Sequence, residues 1–315
     1  MNENTQTIST LTAENQTFYD RTLLERQIPE LHLYEDADKK VIPKGKGTSI
    51  EFRKFNSLPI PSAPLTEGVT PNGRSLSITS ITATAQQEGD FVTVSDVLDM
   101  QGKDPVITET AELQGEQSGL LVDTRIRDVV SAGTTVQYAN SKAAQANLAA
   151  TDVLTGREVR LAKARLKKNN IKPFADGSYH MVIDAEQEFD FKNDTASNGF
   201  VEVIKYAKPE QMLDGEIGKY DGVRIKVSSN VKVVEVGSNP VVKVHQALIY
   251  GRHSYAVTSI EKGQGKATII VKALGSAGTA DPLNQRSTIG WKMFFVAKRL
   301  NELGICRVET GATTI

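Results

Sequence analysis

The residues that could do chemistry are few. One cysteine, Cys306, and four histidines, His32, His180, His245 and His253, stand in a chain of 315 residues. His245 and Cys306 could in principle form a base–nucleophile pair, the imidazole drawing the thiol proton. Yet Cys306 lies inside the apolar run ICRVE, where a cysteine serves as a small hydrophobe. The histidines follow no HExxH or comparable ligand spacing, and a single cysteine cannot build a thiolate zinc centre. The glycine–lysine runs KGKGTSI (44–50) and KGQGKATI (262–269) lack the spacing of a phosphate-cradling loop. No GxGxxG follows a strand, and no serine occupies a GxSxG elbow. Carboxylates abound, but no spacing pairs two of them. The expectation is no catalytic, cofactor or metal residue, and no enzyme.

One stretch is chemically suggestive by charge. GREVRLAKARLKKNN (156–170) carries Arg157, Arg160, Lys163, Arg165, Lys167 and Lys168. It reads either as a helix for acidic partners or as a solvated helix over Val159, Ala162 and Leu166. The second reading is preferred: the charges surround most of the helix, and no aromatics interleave for base stacking. The formal net charge of −1 argues against nucleic-acid binding as the main task. One cysteine excludes an internal disulfide framework and fits a reducing compartment. The first residues show no basic n-region or apolar h-region, and no run approaches the ~20 apolar residues of a bilayer span. A soluble protein, intracellular when made, is expected.

The largest positioning element is a helix from Asp104 to Gly133. Asp104 suits the N-cap, Pro105 the first turn, and Gly133 the stop. Val106, Leu113 and Leu120 recur every seven residues, widened by Leu121, Val129 and Val130. Such a helix is roughly 40 Å long and should act as a beam. Gly115 and Gly119, four apart, suggest close backbone contact, a bend, or simple tolerance. Before the beam, residues 41–95 read as a two-stranded ribbon with a proline-stiffened tip, its return strand interrupted at Glu88-Gly89-Asp90. A two-stranded ribbon is marginal alone, so it needs a second surface in this chain or a neighbour. Residues 1–17 are polar and expected to be mobile, and Phe18–Leu31 forms a short amphipathic helix.

Beyond the beam, Tyr179–Ile183 reads as a strand. Asp184 and Gln187 make a capping box for the next helix. A further helix is expected over Phe200–Ala207, then strands around 223–228, 231–236, 241–250 and 255–261. Residues 153–261 thus look like one α+β block. The tail strands lie at 267–274, 288–299 and 304–309. Ile289, Trp291, Met293, Phe295 and Ala297 alternate with polar neighbours and should lie on the beam.

Several stretches together resemble one family: FYDRTLLER, GTSIEFRKFNSLP, PLTEGVTP, SITATAQQEGDFVTVSDVLD and, above all, LGSAGTADPLNQRSTIGWKMFFVAKRLN. They are similar to the major capsid proteins of tailed phages of the N-four type, over Phe18 to about Asp128 and Val271 to Glu309. The resemblance implies an α+β Hong Kong 97-type capsid fold. Its parts would be an N-terminal arm (1–40), an extended β-hairpin loop (41–95), a peripheral domain (96–152 and 262–315) with spine helix 104–133, and an axial domain (153–261). It implies self-assembly as hexamers and pentamers into an icosahedral head around double-stranded DNA, with the host cytoplasm as the place of assembly and the virion as destination. Portal, scaffolding and decoration proteins are the implied partners; DNA would be touched only weakly and non-specifically, and no membrane is involved. Some members of the wider fold crosslink a loop lysine to a neighbour's asparagine. Lys44, Lys46, Lys54 and Asn284 match by position only, with no catalytic glutamate evident beside them. A nanocompartment shell of the same fold and, last, a small-molecule enzyme with its pocket in 153–261 are the alternative readings.

Overall fold

The computed structural model describes residues 5–6, 32–43, 45–61, 64–65, 67–70, 72–101, 106–195, 216–237, 241–260, 267–276 and 278–314. The expected helices at 18–31 and 200–207, the helix start at Asp104-Pro105, and Lys44 lie outside these residues.

In chain order the strands and helices are β1 (Thr5–Gln6), β2 (Asp38–Ile42), β3 (Ser49–Phe55), β4 (Ile78–Thr84), β5 (Gln86–Ser95), α1 (Asp96–Gln101) and α2 (Val106–Ser131). Then come β6 (Val136–Tyr138), α3 (Gly156–Lys168), β7 (Tyr179–Ile183), α4 (Ala185–Lys192), β8 (Glu216–Tyr220), β9 (Val223–Val227), β10 (Val233–Val236) and β11 (Val242–Tyr250). β12 (Tyr255–Ile260), β13 (Thr268–Lys272), β14 (Arg286–Arg299) and β15 (Ile305–Thr310) complete the chain. Three sheets result. One runs β1-β5-β14-β12-β2 with β13 also on β14; another runs β6-β15-β11-β7-β9-β8 with β10 also on β11; β3 and β4 form a ribbon alone.

Strand pairing does not follow the division drawn at 261. β12 pairs with β14 in the first sheet, and β15 pairs with β11 in the second. The chain turns from β11 to β12 and from β14 to β15 at one shared corner. There Gly251 N donates to Gly304 O at 3.1 Å, and Leu300 N to Ser254 O at 2.9 Å. Ser254 Oγ donates toward both Gly251 O and Gly304 O. Local alternation alone could not reveal this, because each strand has a buried face whichever sheet it joins.

The alternation in β14 holds: Ile289, Trp291, Met293, Phe295 and Ala297 are all buried. The last four share a cluster with Val122, Ile126 and Val130 of α2, so β14 does lie on the helix. Each large apolar side chain so buried stabilises by about 1.5–3 kcal/mol.

The buried stripe of α2 differs from the heptad reading. Thr110, Gln114, Ser118, Val122, Ile126 and Val130, four apart, face inward. Leu113 and Leu120 are 47% and 38% exposed. A row of residues four apart runs obliquely to the helix axis, and such a ridge seats the helix across a sheet. On the ridge, Gln114 Nε2 donates to Ile289 O at 2.6 Å, and beside the ridge Gln117 Oε1 accepts from Trp291 Nε1 at 2.9 Å. A Cβ at Gly115 would meet no atom within 4 Å, so this glycine marks no close contact. Gly133 is not in the left-handed region either. The helix end is covered by Arg307, whose guanidinium donates to Ser131 O and Gly133 O.

β4 runs into β5 through the buried Ala85, so the ribbon grows directly out of the large sheet. The expected interruption at Glu88-Gly89-Asp90 is absent: these residues pair continuously with Met293, Lys292 and Trp291 of β14, in that order. Gly89 is there for proximity, since a Cβ on it would lie 2.4 Å from Trp291 O.

Candidate functional site

The predicted nucleophile pair is not assembled. Cys306 pairs with Ile249 and His245 with Thr310 along β11 and β15. Four residues of strand separate the two by about 13 Å. Cys306 is fully buried, and burial pushes its thiol up to about 11, against the weaker pull of Arg165. At neutral pH it stays a protonated packing residue.

His245 instead meets carboxylates. Its Nδ1 is 2.8 Å from Asp184 Oδ2, and its Nε2 is 3.0 Å from Glu186 Oε2. Asp184 also caps α4 in the capping box with Gln187 that the sequence predicts. Gln187 Nε2 in turn donates to Thr310 Oγ1 at 2.7 Å and to His245 O at 3.3 Å. Ligand atoms of Asp184, Glu186 and His245 lie close enough together to surround a cation. Through its Nδ1 contact to Asp184, His245 links the start of α4 to β11. Sequence reasoning missed it, since its halves are 61 residues apart.

A second buried network fixes the segment that precedes β2. Asp36 Oδ2 is 2.9 Å from His180 Nδ1 and accepts from Tyr250 Oη at 2.8 Å. Lys226 Nζ is 3.5 Å from the same carboxylate. Burial alone would raise the Asp36 carboxyl, but His180, Lys226 and Tyr250 together hold it low. Phe174 stacks on His180 with centroids 4.1 Å apart. Leu33 N donates to Asp123 Oδ1 on α2 at 3.2 Å, and Leu33 O accepts from Tyr255 Oη at 2.7 Å. Asp123 is 2% exposed, and burial raises its carboxyl despite the amide of Asn230 and the Leu33 N–H. The chain from 32 to 38 is thereby tied to α2 and to both large sheets.

Asp176, at the edge of this network, carries a testable consequence. Burial would raise its carboxyl, but the Ser178 hydroxyl and amide and the nearby His180 outweigh it and hold it at about 2, below its ordinary 3.8. A carboxyl lowered on folding stabilises above its unfolded value and loses that contribution as pH falls through its folded value. Asp176→Asn is therefore expected to lower the melting temperature at pH 7, with wild type and variant converging between pH 4 and pH 2. A gap that stays constant over that range would remove the carboxylate from the account.

The basic helix is mostly engaged at home. Lys163 Nζ is 2.9 Å from Asp221 Oδ1, and Arg165 Nη1 donates to Val136 O at 2.9 Å. Val159, Ala162 and Leu166 are fully buried beneath it. Of the crosslinking candidates, Lys46 lies in the turn before β3, Lys54 in β3, and Asn284, with φ 54°, in the loop before β14. Among the described residues, these three lie in separate segments of the chain.

An exposed apolar surface runs along the ribbon and the irregular segment beyond it. Phe55, Leu58, Ile60, Leu65, Val69, Leu76 and Ile78 are 52–89% exposed. Ordinary soluble surfaces scatter such residues singly, whereas a run on one limb marks a contact made with something else. Arg74 Nη1 holds the limb together by donating to Pro59 O at 3.1 Å.

A long helix across a sheet, a second sheet joined at a corner, and a protruding ribbon define the Hong Kong 97-type capsid fold. The chain is similar to the capsid of Ralstonia phage GP4, at 13% identity and TM-score 0.73 over 96% of each chain. It is similar to the Cyanophage Pam1 capsid asymmetric unit, at 15% identity and TM-score 0.71 over 96% and 98% of the two chains. It is also similar to the head structure of Helicobacter pylori bacteriophage KHP40, at 12% identity and TM-score 0.70 over 94% and 95%. A family model described as phage capsid protein matches residues 78–308, and the chain belongs to that family. No curated protein sequence matches it.

Proposed function

We infer that this chain is the major capsid subunit of a tailed phage, building the head shell by self-association. The observation that carries the reading is the run of exposed apolar residues along the ribbon and the segment beyond it. Within one chain it is an unmet hydrophobic surface; between copies it becomes an adhesive limb. Heterologous contacts between unlike patches close into rings, and rings of such subunits make hexamers and pentamers. The ribbon of β3 and β4, with the segment between them, acts as a limb reaching neighbours, whereas β2 and β5 at its two ends are held in the large sheet. The β5–β14 sheet with α2 forms the peripheral part, and the β11–β7 sheet with α3 and α4 forms the axial part. The role is structural rather than enzymatic. The shell encloses double-stranded DNA, is assembled in the host cytoplasm, and offers surfaces for portal, scaffolding and decoration proteins.

Electron microscopy of the protein expressed alone, and with its neighbouring genes, tests this. Closed particles of uniform diameter are expected. A compact monomer that forms no particle under any condition would overturn the reading. A particle filled with enzyme cargo rather than DNA would favour the nanocompartment alternative.

A further inference from the structure

At the root of the ribbon, an open groove of about 1360 Å³ runs between β3–β4, the C-terminal half of α2 and the corner of the two large sheets. Nine lysines and arginines line it against three carboxylates, Asp38, Asp128 and Glu302. The whole chain has a formal net charge of only −1, so charge is sorted in space rather than scarce. Five of the cations, Lys40, Lys54, Lys172, Arg252 and Lys298, are exposed and have no ion-pair partner among the described residues. They come from five separate segments that folding brings to one place. Like charges gathered without partners repel, and that repulsion is relieved when a polyanion enters.

We propose that this groove binds the phosphodiester backbone of the enclosed DNA, and therefore faces the shell interior. The inference rests on the reading that the chain encloses DNA. The cations are long, separately mounted and spread along an open channel, which suits a flexible line of phosphates. Protein partners are held by large apolar anchors seated in deep pockets. Here the apolar lining, such as Ala297 and Val129, belongs to the walls of the subunit's own core. The scarcity of aromatic rings in the groove makes the binding one of charge, indifferent to sequence.

The test uses the full-length subunit, a fluorescent 20-base-pair duplex, and anisotropy at 50 and 200 mM salt. With about four phosphates engaged, affinity should fall roughly 100-fold across that range. The variant Lys40→Gln/Lys172→Gln/Arg252→Gln/Lys298→Gln should keep the wild-type melting temperature, bind at least about tenfold more weakly at 50 mM, and show a flatter salt slope. A control, Lys167→Gln/Lys168→Gln on the exposed end of α3, should change binding by less than about twofold. Equal weakening by the control would overturn the groove as the site. Polyglutamate displacing the duplex at lower charge concentration than DNA itself would assign the groove to an acidic protein and overturn the proposal. Intact particles that bind added DNA as well as free subunits do would place the groove outside, with the same result. Failure to form particles would instead count against the shell reading, whatever the subunit binds.

Discussion

The variant Ile60→Asp/Leu76→Asp is expected to yield no closed particles while the isolated subunit stays folded. These side chains are 89% and 66% exposed, so neither contributes appreciably to the core of its own chain. If each is covered by a neighbour, it contributes about 1.5–3 kcal/mol there. Losing both weakens every such contact by about 3–6 kcal/mol, or roughly 10²–10⁴-fold in its equilibrium constant. The loss recurs at each repeat of the shell, so assembly should fail outright rather than slow down. Size-exclusion chromatography, thermal melting and microscopy together read the result. Particles at wild-type yield would clear the ribbon of any role in assembly. A melting temperature far below wild type would show that the ribbon is packed on its own subunit.

Gly89→Ala is the second variant with a large expected effect, and it separates geometry from exposure. Gly89 lies on the exposed face of β5, where most substitutions shift stability by less than about 0.5 kcal/mol. Yet the added methyl would sit 2.4 Å from Trp291 O, a backbone atom that cannot swing aside. Opposite, Gly290 is equally tight: its Cβ would fall 2.8 Å from that of Phe91. The β5–β14 ladder must open locally, at a cost of about 3 kcal/mol. A lowered urea midpoint with an unchanged slope is the expected signature. A midpoint equal to wild type would mean that the two strands lie farther apart than described.

These two glycines also show where the sequence was legible. The alternation in β14 could be read directly, because one face of that strand meets an apolar core while the other does not. Tyr179–Ile183 and the Asp184/Gln187 capping box were equally local, and so were Val159, Ala162 and Leu166 beneath the basic helix. Gly89 was misread as a break because proximity to another strand leaves no local trace. Part of the α2 stripe, Leu113 and Leu120, was misassigned for a related reason, whereas Val106, Leu121, Val129 and Val130 do pack on apolar clusters. Gln114 is buried by a contact 175 residues away in β14, while Leu113 and Leu120 are 47% and 38% exposed among the described residues. The carboxylate pair around His245 and the basic groove both draw on segments that meet only through folding. The seating of β14 on α2 was legible from patterning as well, because a strand with one strongly apolar face needs a cover and the long helix was the largest one on offer.

The corner at Gly251–Ser254 and Leu300–Gly304 has a mechanical consequence. Two parts of a chain joined by one slack tether can swing, whereas here a pair of hydrogen-bonded strands crosses together from one sheet to the other. One apolar cluster spans the joint as well, placing Leu248, Tyr250 and Ile305 beside Trp291 and Tyr255. The subunit should carry stress as a stiff bracket, along peptide bonds and a shared core. Outward pressure on a filled container would then be met as tension through each bracket, and changes in container diameter would arise from brackets tilting against one another rather than from any bracket bending.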